Sequence, residues 1–117
     1  MIDLELYKYR KIDIEETILE DKKIIISKYQ KELKINDTKT PLCNENNKMF
    51  INISKTIIKS PLFNDISFEI SLSAEFINED WFNLSVYSIS KLDKIKLEKL
   101  EKLLLKHWKI FNNEYNH

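Results

Sequence analysis

The clearest alternation of apolar and polar side chains runs over residues 67 to 76. Every second residue is apolar, and serines and glutamates stand between. A period of two predicts a strand with one buried face. Residues 81 to 89 alternate in the same way after the short connection Asn78-Glu79-Asp80, so the two runs predict an antiparallel hairpin.

The same period predicts two further strands upstream. Residues 48 to 59 carry apolar side chains at Met49, Ile51 and Ile53, with polar or aromatic residues between them. Residues 2 to 9 place isoleucine and leucine on one side and acidic residues with a tyrosine on the other. We therefore expect a strand at each of these two positions.

Residues 91 to 111 show the spacing of a long amphipathic helix. Ser90 and Asp93 are spaced as a capping box, which predicts where this helix begins. The pair Asn112-Asn113 predicts its end, because asparagine tolerates the left-handed conformation that terminates helices. The side chains of its apolar stripe are Leu97, Leu100, Leu103, Leu104, His107, Trp108 and Phe111.

Residues 13 to 35 allow two interpretations. Asp13 and Glu16 have capping-box spacing ahead of a helical apolar face, which favours a helix. The β-branched runs at 17–19 and 24–26 flank a short charged stretch and favour a hairpin instead. We predict the helix and keep the hairpin as the alternative. The residues that share the helical face are Ile14, Ile18, Ile25, Tyr29 and Leu33.

Together these elements predict a single α+β domain spanning residues 1 to 117, a common domain length. An antiparallel sheet containing 48–59, 67–77 and 81–89 is covered on one face by the long C-terminal helix. The N-terminal strand joins an edge of the sheet, and a second, shorter helix lies in the N-terminal third. Residues 36 to 47 form the longest polar loop.

The composition excludes several kinds of site. The chain has no glycine, so it contains no Walker loop, dinucleotide fingerprint or nucleophile elbow, all of which need glycine near a phosphate or at positive φ. Cys43 is the only cysteine, so no intramolecular disulfide can form. Because no apolar run could span a bilayer and acids stand where a signal peptide needs basic residues, we expect no membrane association and a cytoplasmic location.

The net charge of zero conceals two regions of opposite sign. Residues 65 to 90 hold five acids and no lysine or arginine, whereas residues 91 to 111 hold seven lysines and three acids. With near-neutral charge and one arginine, Arg10, direct nucleic-acid binding is not expected. A protein partner of complementary charge is expected instead.

Strand geometry predicts where such a partner would bind. If the apolar side chains of the hairpin face the helix, its polar and remaining aromatic side chains share the other face of the sheet. Acids provide steering and aromatic side chains provide buried contact area at a protein interface. The alternative is that Trp81 and Tyr87 pack beneath another segment. The candidate contact residues are Glu69, Glu75, Glu79, Asp80, Trp81, Asn83 and Tyr87.

Residues suited to catalysis are few. His107 lies on the apolar stripe of the helix, and His117 is the last residue. Cys43 stands alone in a polar loop, and the acidic pairs lack the glycine bend of a calcium loop. We expect no enzymatic activity, metal or cofactor. A small enzyme or nucleic-acid regulator that uses His107 or the lysine-rich helix is the remaining alternative.

The order strand, turn, strand, helix in the C-terminal half resembles small immunity proteins of bacterial polymorphic and contact-dependent toxin systems. The resemblance rests on residues 68–76, on Asp80-Trp81-Phe82 at the start of the second strand, and on the lysine- and leucine-rich helix reaching Trp108. It implies a protein that blocks one cognate toxin domain, often a basic nuclease. A phage or mobile-element inhibitor of a host defence enzyme is the alternative, and we expect a monomer or weak homodimer.

Overall fold

The described part of the protein consists of a short 3-10 turn, five antiparallel strands and one long helix. The computed structural model describes residues 2–33, 49–75 and 81–115. The strands are β1 (Arg10–Ile18), β2 (Lys23–Leu33), β3 (Met49–Lys59), β4 (Asn64–Glu75) and β5 (Trp81–Ile89), and the helix is α1 (Lys94–Tyr115). The α+β architecture predicted from the sequence is thereby confirmed.

The strands are arranged in the order in which they occur in the chain. β1 and β5 form the two edges, and every pairing is antiparallel. β3 pairs without interruption along its whole length with β2 on one side and β4 on the other. Both edge pairings contain a bulge, one between Lys11 and Asp13 and one beside the Ile70–Ser71 step.

The helix covers one face of the sheet. Directly paired residues of neighbouring strands lie on the same face, so the register divides the side chains of the sheet into two sets. We call the face under α1 the covered face and the other the open face. Leu97, Leu104 and Trp108 of the helix are fully buried. The buried strand residues of the core are Met49, Ile51, Ile53, Phe68, Ile70 and Leu72.

The N-terminal prediction is wrong: Leu4–Tyr7 is a 3-10 turn, not a strand. Asp3 caps this turn by accepting a hydrogen bond from the Glu5 N–H (3.1 Å). Lys8 ends it with φ of 69° in the left-handed region. The turn buries Leu4 in the core. The alternating residues at the N-terminus therefore serve a capped turn with one buried leucine, and not a strand.

The predicted N-terminal helix is also wrong, and the alternative hairpin is correct. Residues 13 to 33 belong to β1 and β2, which are joined at Leu19 and Lys22 by backbone hydrogen bonds of 2.8 and 3.4 Å. The isoleucines at 24–26 lose side-chain freedom in a helix but fit a pleated strand. The loop predicted at 36–47 lies outside the described residues.

The two ends of α1 differ from their predicted caps. Asp93, and not Ser90, caps the start: its Oδ1 accepts from the Lys96 N–H (2.8 Å), and its carbonyl accepts from the Leu97 N–H (2.9 Å). At the other end the backbone stays helical through Asn112 and Asn113 to Tyr115. Asparagine is a weak helix former but does not forbid a helix.

At one end of the sheet, the inner strands extend beyond the end of β5. β5 stops opposite Phe68, while β3 and β4 continue pairing to Lys59 and Asn64. This distal end includes the turns at 19–22 and 60–63, and the molecule measures 53 × 30 × 25 Å. Large apolar side chains are exposed there, and Leu62 is 92% exposed.

Replacing a core leucine should cost far more stability than replacing an exposed one. We expect Leu104→Ala to lower the free energy of unfolding by about 2 to 5 kcal/mol, because it leaves a cavity under the helix. Leu62→Ala, the matched control at the distal end, should change it by less than about 0.5 kcal/mol. Urea denaturation measures both, and equal effects would contradict this core.

Single substitutions also test which residue caps the start of the helix. Asp93→Ala should lower the free energy of unfolding by about 1 kcal/mol, because the Lys96 N–H loses its acceptor. Ser90→Ala should leave stability within about 0.5 kcal/mol of the wild type. Urea denaturation of the two variants distinguishes the caps, and a larger loss for Ser90→Ala would favour the capping box.

Candidate functional site

The two faces of the sheet carry charge of opposite sign. Among the described strand residues, the register places five lysines and one carboxylate, Glu16, on the covered face. On the open face, the described charged side chains of the strands are five carboxylates and two cations, all of them exposed. The covered-face lysines are Lys11, Lys23, Lys31, Lys55 and Lys59. The open-face carboxylates are Asp13, Glu15, Glu32, Asp65 and Glu69, and the cations are Arg10 and Lys28.

A hydrogen-bonded row of neutral side chains crosses the middle of the open face. Gln30 Nε2 donates to Asn52 Oδ1 (3.1 Å), and Asn52 Nδ2 donates to Ser73 Oγ (2.9 Å). Ser73 is only 7% exposed, and Asn83 stands opposite it on β5. β3 places no charged side chain on this face. The open face therefore has a neutral, oriented centre between carboxylate-bearing strands.

The candidate contact residues are distributed unevenly with respect to this face. Glu69 and Asn83 are exposed on it, as predicted. Glu75 and Trp81 are opposite each other in the backbone register of β4 and β5. Their side chains, together with Glu79 and Asp80, lie outside what the structure describes.

The prediction that Tyr87 lies on the open face is wrong. The register shift in β5 breaks the alternation between Asn83 and Tyr87, so Tyr87 pairs with the buried Ile70 and lies on the covered face. Beyond the extra residue of a bulge, every side chain lies on the face opposite to the one that strict alternation along the sequence predicts. Tyr87 is 45% exposed and lines a groove beside α1, away from Glu69 and Asn83.

A cluster of three side chains ties the helix to the N-terminal part of the sheet. The Tyr9 hydroxyl donates to Glu101 Oε1 (2.9 Å), and Lys31 Nζ donates to Glu101 Oε2 (2.8 Å). Lys31 Nζ also lies 4.9 Å from the centroid of the Tyr9 ring. Burial, the charge of Glu101 and the hydrogen bond to it raise the pKa of Tyr9. This cluster links α1 to β2 and to the residue that precedes β1.

The covered face concentrates positive charge beyond this cluster. Burial, and secondarily the neighbouring charge of Lys11, lowers the pKa of Lys55. Lys11 also lies over the Tyr29 ring, 5.6 Å from its centroid. Lys23 is balanced by Glu16 at 2.8 Å. Lys11 and Lys55 thus repel each other on this face.

The described residues do not bring the candidate catalytic side chains together. His107 is half-buried on α1, and Cys43 lies outside the described residues. Glu15 and Glu16 point to opposite faces of β1. Among residues 2–33, 49–75 and 81–115, no three histidine, cysteine, aspartate or glutamate side chains are grouped to hold a metal ion.

Sequence reasoning missed the contribution of the N-terminal hairpin to the open face. Arg10, Lys28 and Gln30 reach this face only because residues 10–33 form strands. The paired β-branched runs were the available signal for that hairpin.

Comparisons with protein-family models, curated proteins and solved structures found no match to this chain. Within the part of the chain that the structure describes, no helix combines the length and apolar character needed to cross a membrane.

The Tyr9 cluster predicts a pH dependence of stability. The folded state keeps the phenol proton above pH 10.0, the ordinary pKa of tyrosine, whereas the unfolded chain releases it. Stability contributed by this group is therefore complete below that pH and falls by up to about 1.4 kcal/mol per pH unit above it.

Tyr9→Phe removes this titration. We expect the difference in unfolding free energy between wild type and variant to be constant below about pH 9.5 and to narrow from pH 10 upwards. Urea denaturation at closely spaced pH values measures it, and because both proteins share all lysines, other titrations cancel. Parallel pH profiles up to about pH 11 would contradict the assignment.

Proposed function

We propose that this chain is a non-enzymatic binding protein, an immunity protein that neutralises a cognate bacterial toxin domain by occluding its active site. The observation that carries the proposal is the open face of the sheet, whose described strand side chains include five exposed carboxylates and two cations. The toxin domain that would bind there is basic. The resemblance of the C-terminal half to immunity proteins points to the same role.

The charge distribution of the open face suits a protein interface. Charged residues are depleted in the centre of interfaces and common at the rim, because removing a charge from water is costly. β3 presents Asn52, Ser54 and Thr56 at the centre, and the carboxylates lie on strands to either side. Burial of this centre would leave the charges in partial contact with water, where they steer association.

The hydrogen bonds across the centre also reduce the cost of binding. The Gln30 and Asn52 amides already have partners and fixed orientations, so a partner need not order them. Less side-chain freedom is then lost on association. A partially satisfied amide still offers a second donor or acceptor to the toxin.

Charge reversal on β4 tests the surface. We expect Asp65→Lys combined with Glu69→Lys to weaken binding to the toxin domain encoded beside this gene by at least about tenfold, equivalent to about 1.4 kcal/mol. The variant should also abolish protection in a toxicity-rescue assay. Isothermal titration calorimetry measures the binding.

The matched control reverses two exposed acids elsewhere. Asp93 caps the helix and is avoided, so Glu98→Lys on α1 combined with Glu5→Lys on the N-terminal turn gives the same change in net charge. This control should bind and protect like the wild type. Equal weakening by both variants would indicate long-range charge alone, and unchanged binding by the β4 variant would exclude this face.

A further inference from the structure

A groove of about 300 Å³ opens between strand β5 and helix α1 on the covered side of the sheet. Its walls are mainly apolar, and two exposed lysines stand at its rim. The lining residues are Tyr87, Ile89, Lys96, Lys99, Leu100 and Leu103. This groove is separate from the open face, because the sheet lies between them.

The groove exists because of the bulge in β5. The shift carries Tyr87 to the helix side, where it pairs with Ile70 and stands two residues from Ile89. β5 is an edge strand of the sheet formed by the described residues, and none of the other described strands extends past the tyrosine. The ring consequently remains 45% exposed above an apolar floor, and an exposed apolar concavity on a folded domain is typical of an interaction site.

The lysines indicate the chemistry of the occupant. Lys96 and Lys99 are three residues apart on one side of α1, on the same side as Leu100 and Leu103. On the same side of the molecule, the charged side chains of the sheet are also mainly lysines. An occupant with carboxylates beside an apolar group matches both the rim and the floor. A second copy docking the same face would oppose lysines to lysines.

The shape favours a side chain over a free small molecule. Sites for small ligands bury most of the ligand surface, whereas this groove is largely open to solvent. A single aromatic or aliphatic side chain anchored in such a groove is a common source of binding energy between proteins. We propose that the Tyr87 groove binds an acidic segment of a partner protein, which inserts one large apolar side chain between β5 and α1.

The experiment uses a peptide probe and residue-level detection. A capped peptide of about nine serines and glutamates with one central phenylalanine is titrated into the full ¹⁵N-labelled chain. We expect amide shifts to concentrate at Tyr87, Ile89 and the facing turns of α1. Replacing the phenylalanine by alanine, or the glutamates by lysines, should remove them.

Variants of the rim provide the decisive comparison. Lys96→Glu combined with Lys99→Glu should weaken peptide binding at least fivefold, and Tyr87→Ala should weaken it as well. Lys94→Glu combined with Lys102→Glu reverses the same amount of charge on another side of α1 and should leave binding unchanged. Because the lysines are exposed, these variants should fold even if Tyr87→Ala does not.

Three results would overturn the proposal. Shifts that spread over the lysines without centring on the groove would indicate unspecific charge attraction. Groove shifts with decanoate but none with the peptide would indicate a small carboxylate ligand. An absence of groove shifts at millimolar peptide would exclude the docking site. Asp65→Lys combined with Glu69→Lys should leave peptide binding intact, so failure of the toxin proposal is distinguishable from failure here.

Discussion

Burial of the covered face beneath α1 is the interaction on which the other features depend. Leu97, Leu104 and Trp108 close over the inner residues of β3 and β4 and are fully buried with them. The fully buried isoleucines and leucine there are Ile51, Ile53, Ile70 and Leu72. An amphipathic helix and a half-apolar sheet each need such a partner to leave water. Once one face is occupied in this way, the opposite face must remain hydrated, and polar side chains at its centre follow from that requirement.

The alternation of side chains along the strands explains how a chain without net charge carries opposite charges on the two faces of its sheet. A residue's parity within a strand decides its face, so lysines and acids at alternating positions separate across the thickness of the sheet. In β2, Lys31 lies on the covered face and forms a salt bridge with Glu101 of the helix. The next residue, Glu32, is exposed to solvent on the open face. Charge totals along the sequence hide this division, because neighbours of opposite sign cancel there.

The sequence predicted β3, β4, β5 and α1 because one period dominates most of each element. It could not decide residues 13–33, because three consecutive isoleucines at 24–26 satisfy a helical face and a strand equally well. The choice depends on pairing with β3, which is a tertiary effect. Glu69 and Asn83 were predicted on the open face because alternation is unbroken there, whereas Tyr87 was misplaced because a one-residue bulge has no compositional signature.

The bulge in β5 gives the fold an unusual evolutionary freedom. An edge strand has only one neighbour, so a change in its length disturbs a single ladder of hydrogen bonds. Losing the extra residue there would restore strict alternation, with Asn83 still on the open face and Tyr87 still opposite Ile70 on the covered face. A single-codon deletion could thus shorten the edge strand while both surfaces of the sheet and the core keep their side chains.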